Sequence, residues 1–282
     1  MRHKEYPRLS EDQHAFYNEN GYLIIENALE PFGTDSVREA YERVEAGLKP
    51  AWEQAIKNST NSDHSGSNSH DMTPDYKKEP IFLDLANNPK VMPLISQIVG
   101  PRYQVANIIC HNHPAHTEAH TTWHRDWQEW SHPRFTLRAK VFYYLDDQDK
   151  DMGCFSLVPG THKNPNRPDP KKYSDTALDK MPGIINIAPP AGSAILWDSL
   201  CWHTALPNTS TKDRRTVMYI YSQFFIKNWE SASPLPEIVD WAHTPQKRQL
   251  MGIHSIGGRL AWDRKEILYL PEQEETAKTK TL

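Results

Sequence analysis

The sequence predicts a mainly β protein with flanking α-helices. Between residues 100 and 226, short runs rich in β-branched and aromatic residues alternate with turn sequences, which is typical of a β-barrel or β-sandwich core. Three helix-compatible segments lie within the first hundred residues. The 282 residues fit one domain. We expect a helical cover over about 10–99, a core over about 100–226 and a C-terminal extension over 227–282.

Three helices and one strand are predicted before the core. Ser10 can cap a first helix, which Gly21 ends before a Tyr-Leu-Ile-Ile strand. A longer helix is expected over about 35–56 and a short one over 89–99. Residues 58–76 are polar, and they predict a mobile loop that is either a lid over a substrate or an ordinary surface excursion.

The core region is predicted to hold a series of short strands. They cover 103–110, 135–145, 154–158, 184–188, 193–197, 200–204 and 215–226. The strand at 135–145 alternates cleanly, so Arg138, Lys140 and Phe142 share one face. Two cations on a buried face would need anionic partners, whereas a solvated face would accommodate them without any. The charged residues 271–282 are expected to form a disordered tail.

The most informative motif combines two histidines, one aspartate and one arginine. His124 and Asp126 lie two residues apart on an extended segment, so they project to the same side. His203 ends a strand-compatible run, and Arg214 begins another. Two imidazoles and one carboxylate form the facial set that holds non-heme Fe(II) and leaves positions open for a cosubstrate and O₂. A guanidinium nearby could bind a carboxylate with two donors.

Other metal centres are also possible, because six histidines crowd the segment between residues 111 and 132. His111 with His113, or His116 with Glu118, could contribute to a structural zinc site or a different cupin-type centre. Those pairs lack the matching partner spacing that His203 and Arg214 supply for the first motif.

Taken in order, the motifs resemble the phytanoyl-CoA hydroxylase-like family of Fe(II)/2-oxoglutarate-dependent dioxygenases, which includes ectoine hydroxylases. The resemblance spans about residues 10 to 226 and rests on five segments: 20–29 (NGYLIIENAL), 124–126 (HRD), 152–163 (MGCFSLVPGTHK), 192–203 and 207–214. It implies a double-stranded β-helix core of the jelly-roll, cupin-like kind. It also implies Fe(II) held by His124, Asp126 and His203. The distal carboxylate of 2-oxoglutarate would pair with Arg214, with Arg215 as the neighbouring candidate.

The same resemblance implies further contacts. Phe142 would wall the cosubstrate pocket where relatives place a tryptophan. The small polar contact that relatives place after the distal histidine would be either lost or taken by Thr204, and Asn107, a further candidate for a cosubstrate contact, lies on the strand before the motif. The predicted substrate contacts, three cations and two aromatic residues, are Arg125, Arg138, Lys140, Trp127 and Trp130.

Membership in the family would imply hydroxylation, or another oxygen-driven step, at an unactivated C–H bond of a small metabolite, with release of succinate and CO₂. The inward cations of the strand at 135–145 would suit a polar or anionic metabolite. Halogenating relatives replace the carboxylate ligand with a small residue, so Asp126 disfavours halogenation. Two alternatives remain: a noncatalytic cupin-like binding protein, and an iron oxygenase that does not use 2-oxoglutarate. Arg214 discriminates between the last alternative and the family reaction.

Composition excludes several partners. The formal net charge is -4 and no basic block is present, which disfavours nucleic acid binding. The first residues lack the apolar region of a secretory signal, and no stretch reaches the roughly 18 apolar residues that span a bilayer. Three widely spaced cysteines fit a reducing compartment, so we expect a cytoplasmic protein. The sequence leaves the oligomeric state open.

Overall fold

The computed structural model describes residues 9–58, 70–117, 121–126, 136–164, 169–226 and 235–253. Within these ranges the chain forms two antiparallel sheets and six α-helices. The strands are β1 (Tyr22–Ile25), β2 (His70–Met72), β3 (Tyr103–His113), β4 (Thr121–His124), β5 (Arg138–Tyr144), β6 (Phe155–Val158), β7 (Ile185–Ile187), β8 (Ala194–Asp198), β9 (Trp202–Ala205) and β10 (Arg214–Gln223). The helices are α1 (Glu11–Asn20), α2 (Thr34–Asn58), α3 (Ile81–Ala86), α4 (Met92–Ile98), α5 (Pro236–Trp241) and α6 (Pro245–Leu250).

The two sheets enclose a shared apolar core. The larger sheet has the order β1-β8-β5-β10-β3-β2 and the smaller one β4-β9-β6-β7. Phe142, Trp197 and Met218 of the larger sheet join Phe155 and Leu157 of the smaller sheet in one buried cluster. Two antiparallel sheets packed in this way form a double-stranded β-helix, so the predicted fold class is confirmed.

A second core lies on the outer face of the larger sheet, where helices cover it. Val37 and Tyr41 of α2 and Phe82 of α3 pack there with the sheet residues Val141 and Tyr219. On the far side of the smaller sheet, a third cluster forms beside two 3₁₀ helices, Pro170–Tyr173 and Asp175–Lys180. No helix in the described part of the chain is long and apolar enough to cross a membrane.

The strand β5 alternates as predicted. Ala139, Val141 and Tyr143 belong to the outer, helix-covered core, whereas Phe142 and Tyr144 belong to the core between the sheets. By this alternation the Arg138 and Lys140 side chains point between the sheets. The solvated alternative for this face is therefore wrong.

The predicted N-terminal elements also form. The Ser10 side chain accepts a hydrogen bond from the Gln13 backbone N–H and completes a capping box at the start of α1. Gly21 ends α1 with a left-handed φ of 79°. A Cβ atom at this glycine would lie 2.5 Å from Cys201 Sγ and from His162 Nδ1, so both the turn and the packing require glycine.

Several short elements differ from the predictions. The strand β2 lies inside the segment expected to be a mobile loop; residues 59–69 of that segment, and the expected tail at 271–282, lie outside the described residues. The strands β4 and β2 and the helices α3, α5 and α6 span three to six residues each, too few for a hydrophobic period to mark them. They form because tertiary contacts support them.

A buried carboxyl group links α1 to the larger sheet. Thr136 donates its hydroxyl proton to Asp198 Oδ2 at 2.8 Å, and the Tyr17 hydroxyl lies 3.2 Å from Thr136 Oγ1. The Leu200 backbone N–H donates to Asp198 Oδ1 at 2.9 Å. Burial raises the pKa of Asp198 to about 6, although these hydrogen bonds oppose the shift.

We expect Asp198→Asn to stabilise the protein at neutral pH. Because the pKa of Asp198 is higher in the folded than in the unfolded chain, the folded state binds its proton more tightly, and the free energy of unfolding falls as pH rises from about 4 to 6. The asparagine oxygen keeps the hydrogen bond from the Leu200 N–H, and its amide N–H can donate to Thr136 Oγ1, so the group stays hydrogen-bonded without the charge. Urea denaturation should show that the free energy of unfolding of the variant exceeds that of the wild type by about 1–3 kcal/mol at pH 7.5, and that this difference disappears near pH 4. A gain of equal size at both pH values would contradict this account; the exposed control Asp240→Asn should change stability at neither.

Candidate active site

Three side chains with metal-binding atoms converge at one end of the smaller sheet. The strands β4 and β9 pair so that His124 lies directly opposite His203, and their ring centroids are 4.2 Å apart. Asp126 follows β4, and its backbone N–H donates to the Ser199 carbonyl at 2.9 Å. The ligand atoms of His124, Asp126 and His203 all lie within 4.8 Å of one another. Within the described ranges, His111 and His113 belong to no such group, and Glu118 of the other alternative pair lies outside them.

The protonation of both histidines suits metal binding. His124 Nδ1 lies 2.9 Å from the Thr122 carbonyl, and His203 Nδ1 lies 2.8 Å from the Cys201 carbonyl. A carbonyl only accepts hydrogen bonds, so Nδ1 carries the proton in each ring and Nε2 keeps its lone pair. The two Nε2 atoms face Asp126 at 3.9 Å and 3.4 Å. Burial lowers the pKa of both rings, that of His203 to about 3, so both are neutral at physiological pH.

Lys140 forms an ion pair with the aspartate of this group. Its Nζ lies 2.7 Å from Asp126 Oδ2, and its side chain is 11% exposed. Burial alone would raise the pKa of Asp126, but the charge of Lys140 holds that pKa well below its usual range. The carboxylate is therefore ionised, as a metal ligand must be.

Arg214 is buried in the core between the sheets. Its residue is 1% exposed, and its Nη2 lies 3.5 Å from His111 Nε2. Among the described residues, its Nε and Nη1 have no hydrogen-bond partner. Burial lowers the pKa of Arg214. A guanidinium buried without an anion is costly, so this arrangement favours a carboxylate ligand beside it. Arg215, the neighbouring candidate, instead pairs with Asp146 and Glu42.

Two hydroxyl groups near Arg214 extend this polar pocket. Thr216 lies two residues after Arg214 on the same face of β10, and Tyr144 is its cross-strand partner on β5. Both side chains are fully buried, and in the described part of the chain neither hydroxyl has a hydrogen-bond partner. The sequence analysis missed both residues, although the alternation that placed Phe142 also places Tyr144.

An aromatic wall connects the two ends of the site. Phe142 packs against Trp197 and Phe155 with ring centroids 4.8 Å and 5.4 Å away. Both of these rings contact His203, at 5.9 Å and 5.7 Å. On the other side, Phe142 stacks on His111 at 6.1 Å and 13°. Phe142 therefore lies between the metal-binding group and the surroundings of Arg214, and its role as a wall of the cosubstrate pocket stays a prediction.

The prediction for Thr204 is wrong. Successive residues of a strand face opposite sides, so Thr204 faces away from His203 and shares a side with Trp202, which belongs to the outer cluster. The next inward residue is Ala205, which has no hydroxyl. Asn107 lies opposite Ile220, an inward-facing residue, and its Oδ1 accepts a hydrogen bond from the Ile108 N–H at 2.8 Å. Its contact with a cosubstrate stays a prediction.

Arg125 also faces away from the metal-binding group. Its guanidinium donates to the backbone carbonyls of Leu200 and Thr161 and lies 5.9 Å from the Trp202 ring centroid. These contacts stabilise the segment before His203. They contradict the predicted contact of Arg125 with the substrate. The residues that remain from that prediction are Arg138, which is buried on the inward face of β5, Lys140, and Trp127 and Trp130, which lie outside the described residues.

Comparison with known proteins identifies the family. The model of the phytanoyl-CoA dioxygenase (PhyH) family matches residues 17–216, which include all of β1 to β9 and every residue of the candidate site. The chain belongs to the phytanoyl-CoA dioxygenase family. The resemblance noted from the sequence motifs is thereby confirmed.

Relatives that are named for different activities have similarly low sequence identity to this chain. The chain is 23% identical to the peroxisomal phytanoyl-CoA dioxygenase of Bos taurus over 167 residues, 57% of this chain and 50% of that protein. It is 24% identical to the ectoine dioxygenase of Bordetella bronchiseptica over 238 residues, 76% of this chain and 75% of that protein. The chain spans about half the length of several curated relatives, 42% in one case and 50% in the bovine one.

Solved structures support the fold. HygX from Streptomyces hygroscopicus, crystallised with nickel and 2-oxoglutarate, superimposes with a TM-score of 0.61 at 17% identity. The match covers 79% of this chain and 91% of HygX. At this identity the likeness shows a shared fold, in agreement with the double-stranded β-helix described above.

Proposed function

We propose that this protein is an Fe(II)- and 2-oxoglutarate-dependent oxygenase that oxidises a C–H bond of a small metabolite. One observation carries the proposal: a convergent His-Asp-His group and a buried guanidinium, which has no anionic partner among the described residues, lie at two ends of one aromatic-walled interior. Membership in the phytanoyl-CoA dioxygenase family supports the same reaction class. A facial triad alone would serve many oxygenases, and Arg214 adds the selectivity for a dicarboxylic cosubstrate.

The residues present fit the groups that this reaction requires. His124, Asp126 and His203 would hold the iron through two neutral Nε2 atoms and one ionised carboxylate. Arg214 would receive the distal carboxylate of 2-oxoglutarate. With these groups bound, 2-oxoglutarate and O₂ supply the oxidising power for C–H cleavage, and succinate and CO₂ are released. The protein's own task is to place the cosubstrate and to exclude water, which Phe142 and its aromatic neighbours support.

For the substrate we infer a small molecule with an anionic group. Arg138 is 6% exposed and points between the sheets two residues before Lys140, on the same face of β5. Lys140 pairs with Asp126, so we assign it to orienting that carboxylate. Arg138 is buried on the same inward face, and we assign it to the side of the pocket that meets the substrate. The relatives' named substrates do not choose among metabolites of this kind.

We also propose a single domain and a cytoplasmic location. One buried cluster joins residues from Leu9 to Leu250, and it includes helices and the larger sheet together. The cysteines Cys110, Cys154 and Cys201 are free and buried, which suits a reducing compartment.

The proposed function is tested by turnover with defined cosubstrates. Protein loaded anaerobically with Fe(II) is exposed to air with 2-oxoglutarate and a metabolite extract, and succinate and O₂ consumption are measured. Succinate formation that needs Fe(II), and rises with the extract, would support the proposal. Binding of iron and 2-oxoglutarate without turnover would favour a binding protein, and O₂ consumption without any need for 2-oxoglutarate would favour a different iron oxygenase.

The hydroxyl groups beside Arg214 give a milder prediction. Tyr144→Phe and Thr216→Val each remove a donor that is expected to reach the distal carboxylate, so each should weaken 2-oxoglutarate binding about tenfold. Stability should change little, because neither hydroxyl has a partner among the described residues. Anaerobic titration of the Fe(II) protein measures the affinity. Tyr143→Phe, on the outer face of β5, is the matched control, and a loss as large in this variant would contradict the assignment.

A further inference from the structure

A carboxylate on an edge strand contacts the histidine that touches Arg214. The strand β2 pairs with β3 so that Asp71 lies directly opposite His111. Asp71 Oδ1 is 2.6 Å from His111 Nδ1, and the other ring nitrogen, Nε2, is 3.5 Å from Arg214 Nη2. The His111 side chain is 5% exposed, and that of Asp71 is 53% exposed. The three side chains thus form a continuous series of contacts from the protein surface to the buried guanidinium.

The hydrogen-bonding capacities of these groups determine where the protons lie. A guanidinium only donates, so His111 Nε2 must be the acceptor from Arg214 and carries no proton. The single ring proton therefore sits on Nδ1 and is donated to Asp71. The opposite tautomer would point an N–H at a cation and would also set the Nδ1 lone pair against a carboxylate. Asp71 consequently selects the ring form that can hold Arg214.

His111 is fixed in orientation as well as in protonation. Its ring stacks on Phe142, with 13° between the planes, while Asp71 holds one edge. A ring fixed on its face and on its edge presents Nε2 to Arg214 in one direction. It occupies one donor of the guanidinium and leaves Nε and Nη1, which have no partner in the described ranges, to meet an anion.

We propose that Asp71 and His111 are positioning residues that orient Arg214 for the distal carboxylate of the cosubstrate. This inference rests on the proposed use of 2-oxoglutarate. Neither residue needs to touch the cosubstrate: Asp71 acts on His111, and His111 acts on Arg214. The strand β2 therefore contributes to cosubstrate affinity through a contact made at its middle residue.

The test measures how tightly two ligands bind to the Fe(II) protein under anaerobic conditions. Binding is followed by the visible charge-transfer absorption that a 2-oxoacid produces when it chelates the iron. One ligand is 2-oxoglutarate, and the other is 2-oxopentanoate, which has the same chain length without the distal carboxylate. His111→Leu should weaken 2-oxoglutarate binding about tenfold and Asp71→Ala about threefold. Neither should alter the affinity for 2-oxopentanoate or for Fe(II).

A double-mutant cycle tests the order of action. Because Asp71 acts through His111, adding Asp71→Ala to His111→Leu should cause no further loss. His111→Gln keeps an acceptor and a donor, so it should bind 2-oxoglutarate more tightly than His111→Leu, and it serves as the second variant if the leucine form folds poorly. Asp75→Ala removes a nearby exposed carboxylate that pairs with Lys78, and it should have no effect.

Four outcomes would overturn the inference. Unchanged 2-oxoglutarate affinity in both His111 variants would remove the positioning role. Equal losses of affinity for both ligands would show that His111 acts only through packing. Additive losses in the double variant would show that Asp71 does not act through His111. A wild-type protein that binds 2-oxoglutarate no more tightly than 2-oxopentanoate would instead refute the proposed function, and this inference with it.

Discussion

Replacing Arg214 with methionine is expected to weaken 2-oxoglutarate binding by two to three orders of magnitude while stabilising the ligand-free protein. The loss of affinity follows because the distal carboxylate would enter a buried site without its counter-charge, at a cost of roughly 2–5 kcal/mol. The gain in stability follows because the wild-type guanidinium is 1% exposed, and its Nε and Nη1 have no partner within the described ranges. Replacing such a group with an apolar one of similar length should add about 1–4 kcal/mol.

Arg215 supplies the matched control for this experiment. It is adjacent in sequence, but it faces outward and forms hydrogen bonds of 2.6–2.8 Å with Asp146 and Glu42. Arg215→Met should keep the cosubstrate affinity and lower the stability, which is the opposite pattern. Anaerobic titration and urea denaturation measure the two quantities. If Arg214→Met binds 2-oxoglutarate as the wild type does, Arg214 is not the carboxylate site.

The second large effect is expected from Asp126→Ala, which should lower the affinity for Fe(II) at least about a hundredfold and abolish succinate formation. The variant removes the anionic member of the His-Asp-His group and leaves two neutral imidazoles to hold the cation. It also removes the ion-pair partner of Lys140, whose side chain is 11% exposed. The stability should therefore fall as well, because a nearly buried ammonium loses its counter-charge.

A double variant separates these two effects. Asp126→Ala combined with Lys140→Met removes both charges, so it should recover stability without recovering iron binding. Equilibrium dialysis under anaerobic conditions measures the iron, and thermal unfolding of the metal-free protein measures the stability. Asp179→Ala, which removes an exposed carboxylate paired with Lys180, is expected to change neither. Iron bound at full affinity by either Asp126 variant would contradict the proposed metal centre.

Two kinds of signal located the site in the sequence: the ordered family motif, which placed His203 and Arg214, and the period of a strand. The spacing of His124 and Asp126 and the alternation of β5 both depend on the rule that residues two apart share a face. The same rule explains the two errors. Thr204 is adjacent to His203, and Arg125 lies between two inward residues, so both had to face away. Their chemical suitability was given more weight than their position on the strand.

The parts that were missed depend on which strands become neighbours. Thr216 and Tyr144 meet because β10 pairs with β5 in one register, and Asp71 meets His111 because β2 pairs with β3. Strand pairing between distant segments leaves no local period in the sequence. The three residues of β2 include no β-branched or aromatic side chain, so their own composition predicts a loop rather than a strand.

The direct opposition of His124 and His203 has a further consequence for the durability of the protein. The strand β4 is four residues long and lies at the edge of the smaller sheet, where β9 is its one neighbour among the described strands. A metal ion held by both histidines would act as a cross-link across that pair, closing the chain between residues 124 and 203 much as a disulfide closes a loop. An ion that binds only the folded chain adds its binding free energy to the free energy of unfolding. Iron supply would therefore determine how long the edge of this sheet resists fraying and proteolysis, independently of turnover.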